Sequence, residues 1–115
     1  MRNNVLGKKG EEIALNYLIS NHFQILACNY RYKHSEIDII CSKDQLLVFV
    51  EVKYRTSMVF GFPEESVKSL KINKIREAAE EYIFEIDWKK DIRFDVIAIT
   101  DINNQIDIEH LKDAF

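Results

Sequence analysis

Asp38, Glu51 and Lys53 are the residues whose types and spacing suit a chemical step, and Glu36 stands beside them. They lie in two neighbouring segments, Glu36-Ile37-Asp38-Ile39-Ile40-Cys41 and Leu46-Leu47-Val48-Phe49-Val50-Glu51-Val52-Lys53-Tyr54-Arg55. Two carboxylates with a lysine two residues beyond the second are spaced for metal-dependent phosphodiester cleavage. Asp38 and Glu51 would hold Mg²⁺, or Mn²⁺ in its place; Mg²⁺ usually takes one or two carboxylates and fills its sphere with water and phosphate oxygens. The ion would polarise the phosphate and lower the pKa of a bound water. Lys53 would orient that water or neutralise developing charge. The competing reading is a set of cross-strand ion pairs on a solvated sheet face.

The two segments must be strands, because they are runs of β-branched and apolar residues flanking the polar break Ser42-Lys43-Asp44-Gln45. A hairpin closing between Asp44 and Gln45 sets Asp38 opposite Glu51 and Glu36 opposite Lys53, all on one face. The same register pairs Ile37 with Val52, Ile39 with Val50 and Cys41 with Val48 on the other face; a slip of two residues would keep the faces and shift the pairs. Leu47, Phe49 and Ile40 share the charged face, which argues that it is covered. Like charges directly opposed repel in a bare sheet, and a divalent cation between them relieves this.

Other elements follow from periodicity. Gly7 to about Asn21 reads as a helix with Ile13, Ala14, Tyr17 and Leu18 as its core stripe and Glu11 flanking the apolar face. Gly7-Lys8-Lys9-Gly10 reads as a loose lead into it. Phe23 to Tyr32 is a strand, irregular near Cys28-Asn29. Thr56 to Pro63 is a loop, and Glu64 to about Glu85 is a second helix with Val67, Leu70, Ile75, Ala78, Ala79, Tyr82 and Ile83 inward. Lys71 falls on that inward face, where it either snorkels or reaches a phosphate. Asp91 or Ile92 to Thr100 is a strand, and Gln105 to Glu109 a short edge strand. The order α-β-β-β-α-β-β predicts an antiparallel meander, a helical crossover to a parallel strand, and a mixed sheet flanked by helices in the α/β class.

The 115 residues predict one domain, spanning 1–115. No apolar run escapes interruption by charge, which predicts no membrane association. The opening residues carry no secretory signal, and Cys28 and Cys41 read as reduced core thiols, which together predict a cytoplasmic protein. A net charge of −3 argues mildly against a general nucleic-acid binder. Charge is unevenly spread, however: six basic residues against Glu64 and Glu65 from Lys53 to Arg76, and eight acidic against four basic from Glu85 onward. Tyr54 and Arg55 are candidates for contact with a nucleic-acid backbone. Arg93 and Asp95 share a strand face and read as structural partners of the hairpin charges.

Taken together, several stretches resemble the YraN family, uncharacterised family 0102. They are Gly7-x-x-Gly10-Glu11-x-x-Ala14 with Tyr17-Leu18, Asn29-Tyr30-Arg31, the two charged strands, Phe60-Gly61 with Val67 and Lys71, Ala78-Ala79-x-x-Tyr82, and Arg93-Phe94-Asp95-Val96. The resemblance covers roughly residues 7 to 99. It implies the restriction-endonuclease-like, PD-(D/E)XK fold, similar to Holliday-junction resolvases. Asp38 and Glu51 then correspond to the metal carboxylates, Lys53 to the motif lysine, and Glu11 to a helix glutamate joining the metal site. Ser35 stands where the family usually has Gly. The expectation is a DNA-binding, Mg²⁺-dependent endonuclease with Arg55, Lys71 and Tyr54 toward nucleic acid, acting as a homodimer. The alternative is a non-catalytic nucleic-acid- or partner-binding module that keeps the fold.

Overall fold

A computed structural model describes residues 5–56 and 69–115. Seven elements follow one another: α1 (Val5–Ser20), β1 (Gln24–Tyr32), β2 (Ser35–Lys43), β3 (Leu46–Arg55), α2 (Ser69–Ile86), β4 (Asp91–Ile102) and β5 (Gln105–Leu111). The predicted element order is borne out. Most of the predicted loop, the start of the second helix, Phe60-Gly61 and Val67 lie outside the described residues.

The strands form one sheet in the order β1-β2-β3-β4-β5. β3 and β4 run parallel, while the other neighbours are antiparallel. This is the mixed α/β sheet that the element order predicts. Two of its turns are two-residue loops with both central φ values positive, Asp44-Gln45 (52° and 68°) and Asn103-Asn104 (53° and 62°), the geometry whose twist suits an antiparallel hairpin.

Each face is covered by one helix. Ala14 and Leu18 of α1 pack on Ile39, Cys41, Val48, Val50, Ile97 and Ile99. Ile75, Ala78, Ala79 and Tyr82 of α2 pack on Ile37, Ile40, Leu47, Phe49 and Phe94. Of the predicted helix stripes, Ala14 and Leu18 of α1 and Ile75, Ala78, Ala79 and Tyr82 of α2 are buried. No helix among the described residues is long and apolar enough to cross a membrane.

Two sequence expectations are corrected here. Cys28 is exposed, and only Cys41 is a core thiol, because Cys28 falls with Gln24 and Leu26 on the exposed set of β1, an edge strand. Gly10 is not part of a loose lead but a buried position within α1. A Cβ there would lie 2.7 Å from Tyr54 Cβ and 3.0 Å from its Cγ, so the glycine sets how closely α1 approaches β3. Gly10→Ala is expected to destabilise the fold by about 1–2 kcal/mol, overpacking outweighing the better helix propensity of alanine. A urea titration checks this, and a more stable variant would show that the contact yields.

Candidate functional site

The hairpin register is the predicted one as far as it goes. Ile39 pairs with Val50, Ile40 with Phe49 and Cys41 with Val48. The ladder then stops. In place of the next pairing, Asp38 Oδ2 accepts a hydrogen bond from the Val52 backbone N–H at 2.8 Å. A carboxylate has entered the ladder, and β2 peels away from β3 toward β1. Glu36 therefore lies across from Arg31 of β1 rather than from Lys53, and its carboxylate sits 3.9 Å from the Arg31 guanidinium. The alternation of faces breaks at the same place. Ile37 packs with the α2-side cluster although Ile39 packs with α1, so the predicted Ile37–Val52 pair does not form.

The strand divergence opens a cavity of about 530 Å³ between the sheet and the described start of α2. Glu36, Asp38, Glu51 and Lys53 line it from the strands, and Lys71, Lys74 and Ile75 from the helix. His34 and Ser35 close one side. The Ser35 hydroxyl lies 3.2 Å from the Tyr32 carbonyl and 3.1 Å from the Lys74 carbonyl, tying the β1–β2 turn to α2. Lys74 and His34 were missed from sequence; Lys74, one helical turn beyond Lys71, carried a usable signal.

The cavity's charges are tightly coupled. Glu51 is buried. Its Oε2 receives both lysines, Lys53 Nζ at 3.3 Å and Lys71 Nζ in a short hydrogen bond. Lys71 thus turns into the cavity instead of snorkelling over the core. Burial first, and then the charge of Glu51, push the Asp38 carboxyl up to about 7. Burial holds Lys53 below the usual lysine value despite Glu51. Burial also disfavours charged Lys71, but its hydrogen bond and charge pairing with Glu51 outweigh this and hold it high.

Glu11 is not among the residues that line the cavity. Its Oε2 accepts a hydrogen bond from Asn29 Nδ2 at 2.7 Å, and its charge still adds to the upward push on Asp38. Among the described residues no three His, Cys, Asp or Glu side chains converge in an arrangement that could hold a metal. Asp38 and Glu51 alone do fit a hard divalent cation. They are oxygen donors on one cavity, and burial, with the Glu51 charge second, keeps Asp38 from ionising at its ordinary pH.

Tyr54, a nucleic-acid candidate together with Arg55, is not among the residues that line this cavity. It packs against the α1-side cluster, and its hydroxyl donates to Asp101 at 2.6 Å, beside the Lys9–Asp101 ion pair at 3.1 Å. Alternation along β3 sends it to the face opposite Lys53. Arg55 continues on the Lys53 side, and its Nε is buried without a hydrogen-bond partner among the described residues. Arg93 and Asp95 pair with each other, not with the hairpin charges, through bonds of 2.8 and 2.9 Å.

Residues 10–99 match the family described as Uncharacterised protein family UPF0102. The chain belongs to it. A UPF0102 protein of Flavobacterium psychrophilum is 42% identical over 112 residues, covering 97% of this chain and 94% of that one. A UPF0102 protein of Natranaerobius thermophilus is 42% identical over 120 residues, covering both chains completely. A third, from Thermodesulfovibrio yellowstonii, is 43% identical over 110 residues, covering 96% and 95%. The UPF0102 match includes both charged strands and α2, the elements that line the cavity.

Proposed function

We propose that this UPF0102 chain is a metal-dependent endonuclease of the restriction-endonuclease-like kind that hydrolyses DNA phosphodiester bonds. One observation carries the reading: Asp38, Glu51 and Lys53 meet in one open cavity where the sheet has been parted by Asp38 itself. A structural ion-pair cluster would not need the ladder broken or a carboxylate held near neutrality.

Asp38 and Glu51 would hold Mg²⁺ or Mn²⁺, with water filling the rest of its sphere and Glu11 acting through that water. Such an ion supplies Lewis acidity at a phosphate and a more acidic bound water. Lys53, already lowered by burial, hydrogen-bonds the attacking water or offsets charge building on the phosphate. Lys71, Lys74 and Arg55 border the cavity or continue its strand, and they suit flanking backbone phosphates. A chain this small offers little surface to a duplex, so the acting unit is a homodimer.

The test is cleavage of branched, duplex and single-stranded DNA with Mg²⁺ or Mn²⁺. Asp38→Ala and Lys53→Ala are each expected to lower the rate by about 10²-fold or more. No cleavage of any substrate, or cleavage that survives Asp38→Ala, sinks the proposal. The contact of Lys71 with Glu51 favours one second reading, a binding module whose lysine has taken the cation's place. Salt-dependent DNA binding without cleavage is its signature.

A further inference from the structure

The face of the sheet covered by α1 carries a second polar cavity of about 310 Å³, at the lower end of small-molecule pockets. It is not an extension of the first. Leu46, at the opposite end of β3 from Lys53, lines it, and Tyr17 of α1 forms another wall.

Three cations line this cavity, Lys43, Arg93 and Lys112, with Asp44 as the acidic residue in the lining. Beneath it lies Asp95, fully buried. Its carboxylate is consumed by four donors: Arg93 Nε at 2.8 Å, the Arg93 terminal nitrogen at 2.9 Å, His110 Nε2 at 2.7 Å and the Asp113 N–H at 3.0 Å. Asp95 therefore fixes the Arg93 guanidinium in place without using its whole fork of donors. Lys43 gives one bond to the Asn21 carbonyl at 2.8 Å, and its ammonium has further donors. Lys112 is exposed. Donors held rigid from below and positive charge at the rim are what a phosphate group requires.

The walls add a second preference. Phe23 and Tyr17 both line the cavity. Lys43 Nζ lies over the Phe23 ring, 5.1 Å from its centroid, so a cation and an aromatic ring meet at the same wall. Nucleobases stack on such faces with little regard to sequence.

We propose that this cavity is a nucleotide-binding site, taking the phosphate on Arg93, Lys43 and Lys112 and the base against Phe23 and Tyr17. It stands independently of the reading of the Asp38–Glu51 cavity. The nucleotide is either a free mononucleotide or one unit of a nucleic-acid strand.

Calorimetric titration of the full chain, with a chelator present, tests this with inorganic phosphate, a 5′-mononucleotide and a short single-stranded oligonucleotide. The mononucleotide is expected to bind more tightly than phosphate. The double variant Lys43→Ala/Lys112→Ala is expected to weaken it by about tenfold or more, and Lys53→Ala to leave it unchanged. Lys112→Glu alone, at an exposed side chain, gives the same direction if the double variant folds poorly. Oligonucleotide binding weakened in parallel identifies a strand as the source, and oligonucleotide binding left unchanged identifies the free nucleotide. No mononucleotide binding, phosphate binding as tightly, binding that survives the lysine substitutions, or binding lost with Lys53→Ala overturns the proposal.

Discussion

Asp95→Ala is expected to remove about 3–5 kcal/mol of stability, the usual cost of stripping one partner from a buried ion pair. Against the roughly 5–15 kcal/mol of a typical native protein this is a large share. Asp95 gathers Arg93 of its own strand, His110 of β5 and the backbone of Asp113, and through the His110–Tyr17 bond of 3.0 Å it reaches α1. Burial alone would raise its pKa, yet the donors of His110 and Arg93 hold it below the usual carboxylate range. Removing it leaves a guanidinium and an imidazole N–H facing the vacated space. Asp95→Asn keeps the shape but replaces an acceptor by a donor, and is expected to cost about 1–3 kcal/mol. Denaturant unfolding of both variants checks the ranking. An alanine variant within about 0.5 kcal/mol of the parent, the range of ordinary surface changes, would show that the network contributes nothing net.

Asp38→Asn is expected to do the reverse and stabilise the fold above neutral pH. The folded-state pKa of Asp38, about 7, lies above its ordinary value of 3.8. The folded chain therefore keeps a proton that the unfolded chain has already released. This contribution to stability is fully present below about pH 4, declines as pH rises through about 7, and is then lost. At about 1.4 kcal/mol per pH unit of displacement, the penalty at pH 8 is on the order of 4 kcal/mol. Asparagine keeps an oxygen for the Val52 N–H and cannot ionise, so its unfolding midpoint is expected to lose most of this slope. At pH 8, Mg²⁺ is expected to stabilise the parent by mass action and the variant much less. Identical pH slopes in the two proteins would assign the titration to another group.

What could be read from the sequence was local. The strand pair, its turn at Asp44-Gln45 and the pairing of Ile39 with Val50 followed from alternation over a dozen residues. The inward stripes of both helices followed from their period. The same alternation misled at Asp38, because it presumes that a ladder continues, and a side chain that replaces a backbone partner leaves no trace in the pattern. Asn29 likewise reverses the faces of β1 through one positive φ, which a strand-like composition does not announce. The Asp95 network joins His110 to Tyr17 across 93 positions, and no spacing rule connects them. Tyr54 and Gly10 were each visible, but their contact depends on where α1 lands. Lys71 could be placed on the inner helix face, while its hold on Glu51 required the two elements to be docked.

Val52 makes the parted strands observable. Its amide proton is held by an oxygen that changes charge near neutrality, whereas its ladder neighbours are held by carbonyls that do not titrate. In an amide NMR spectrum, this one resonance should follow the ionisation of Asp38 and respond to an added cation. The strand thus carries its own local electrometer, readable whether or not a substrate is known.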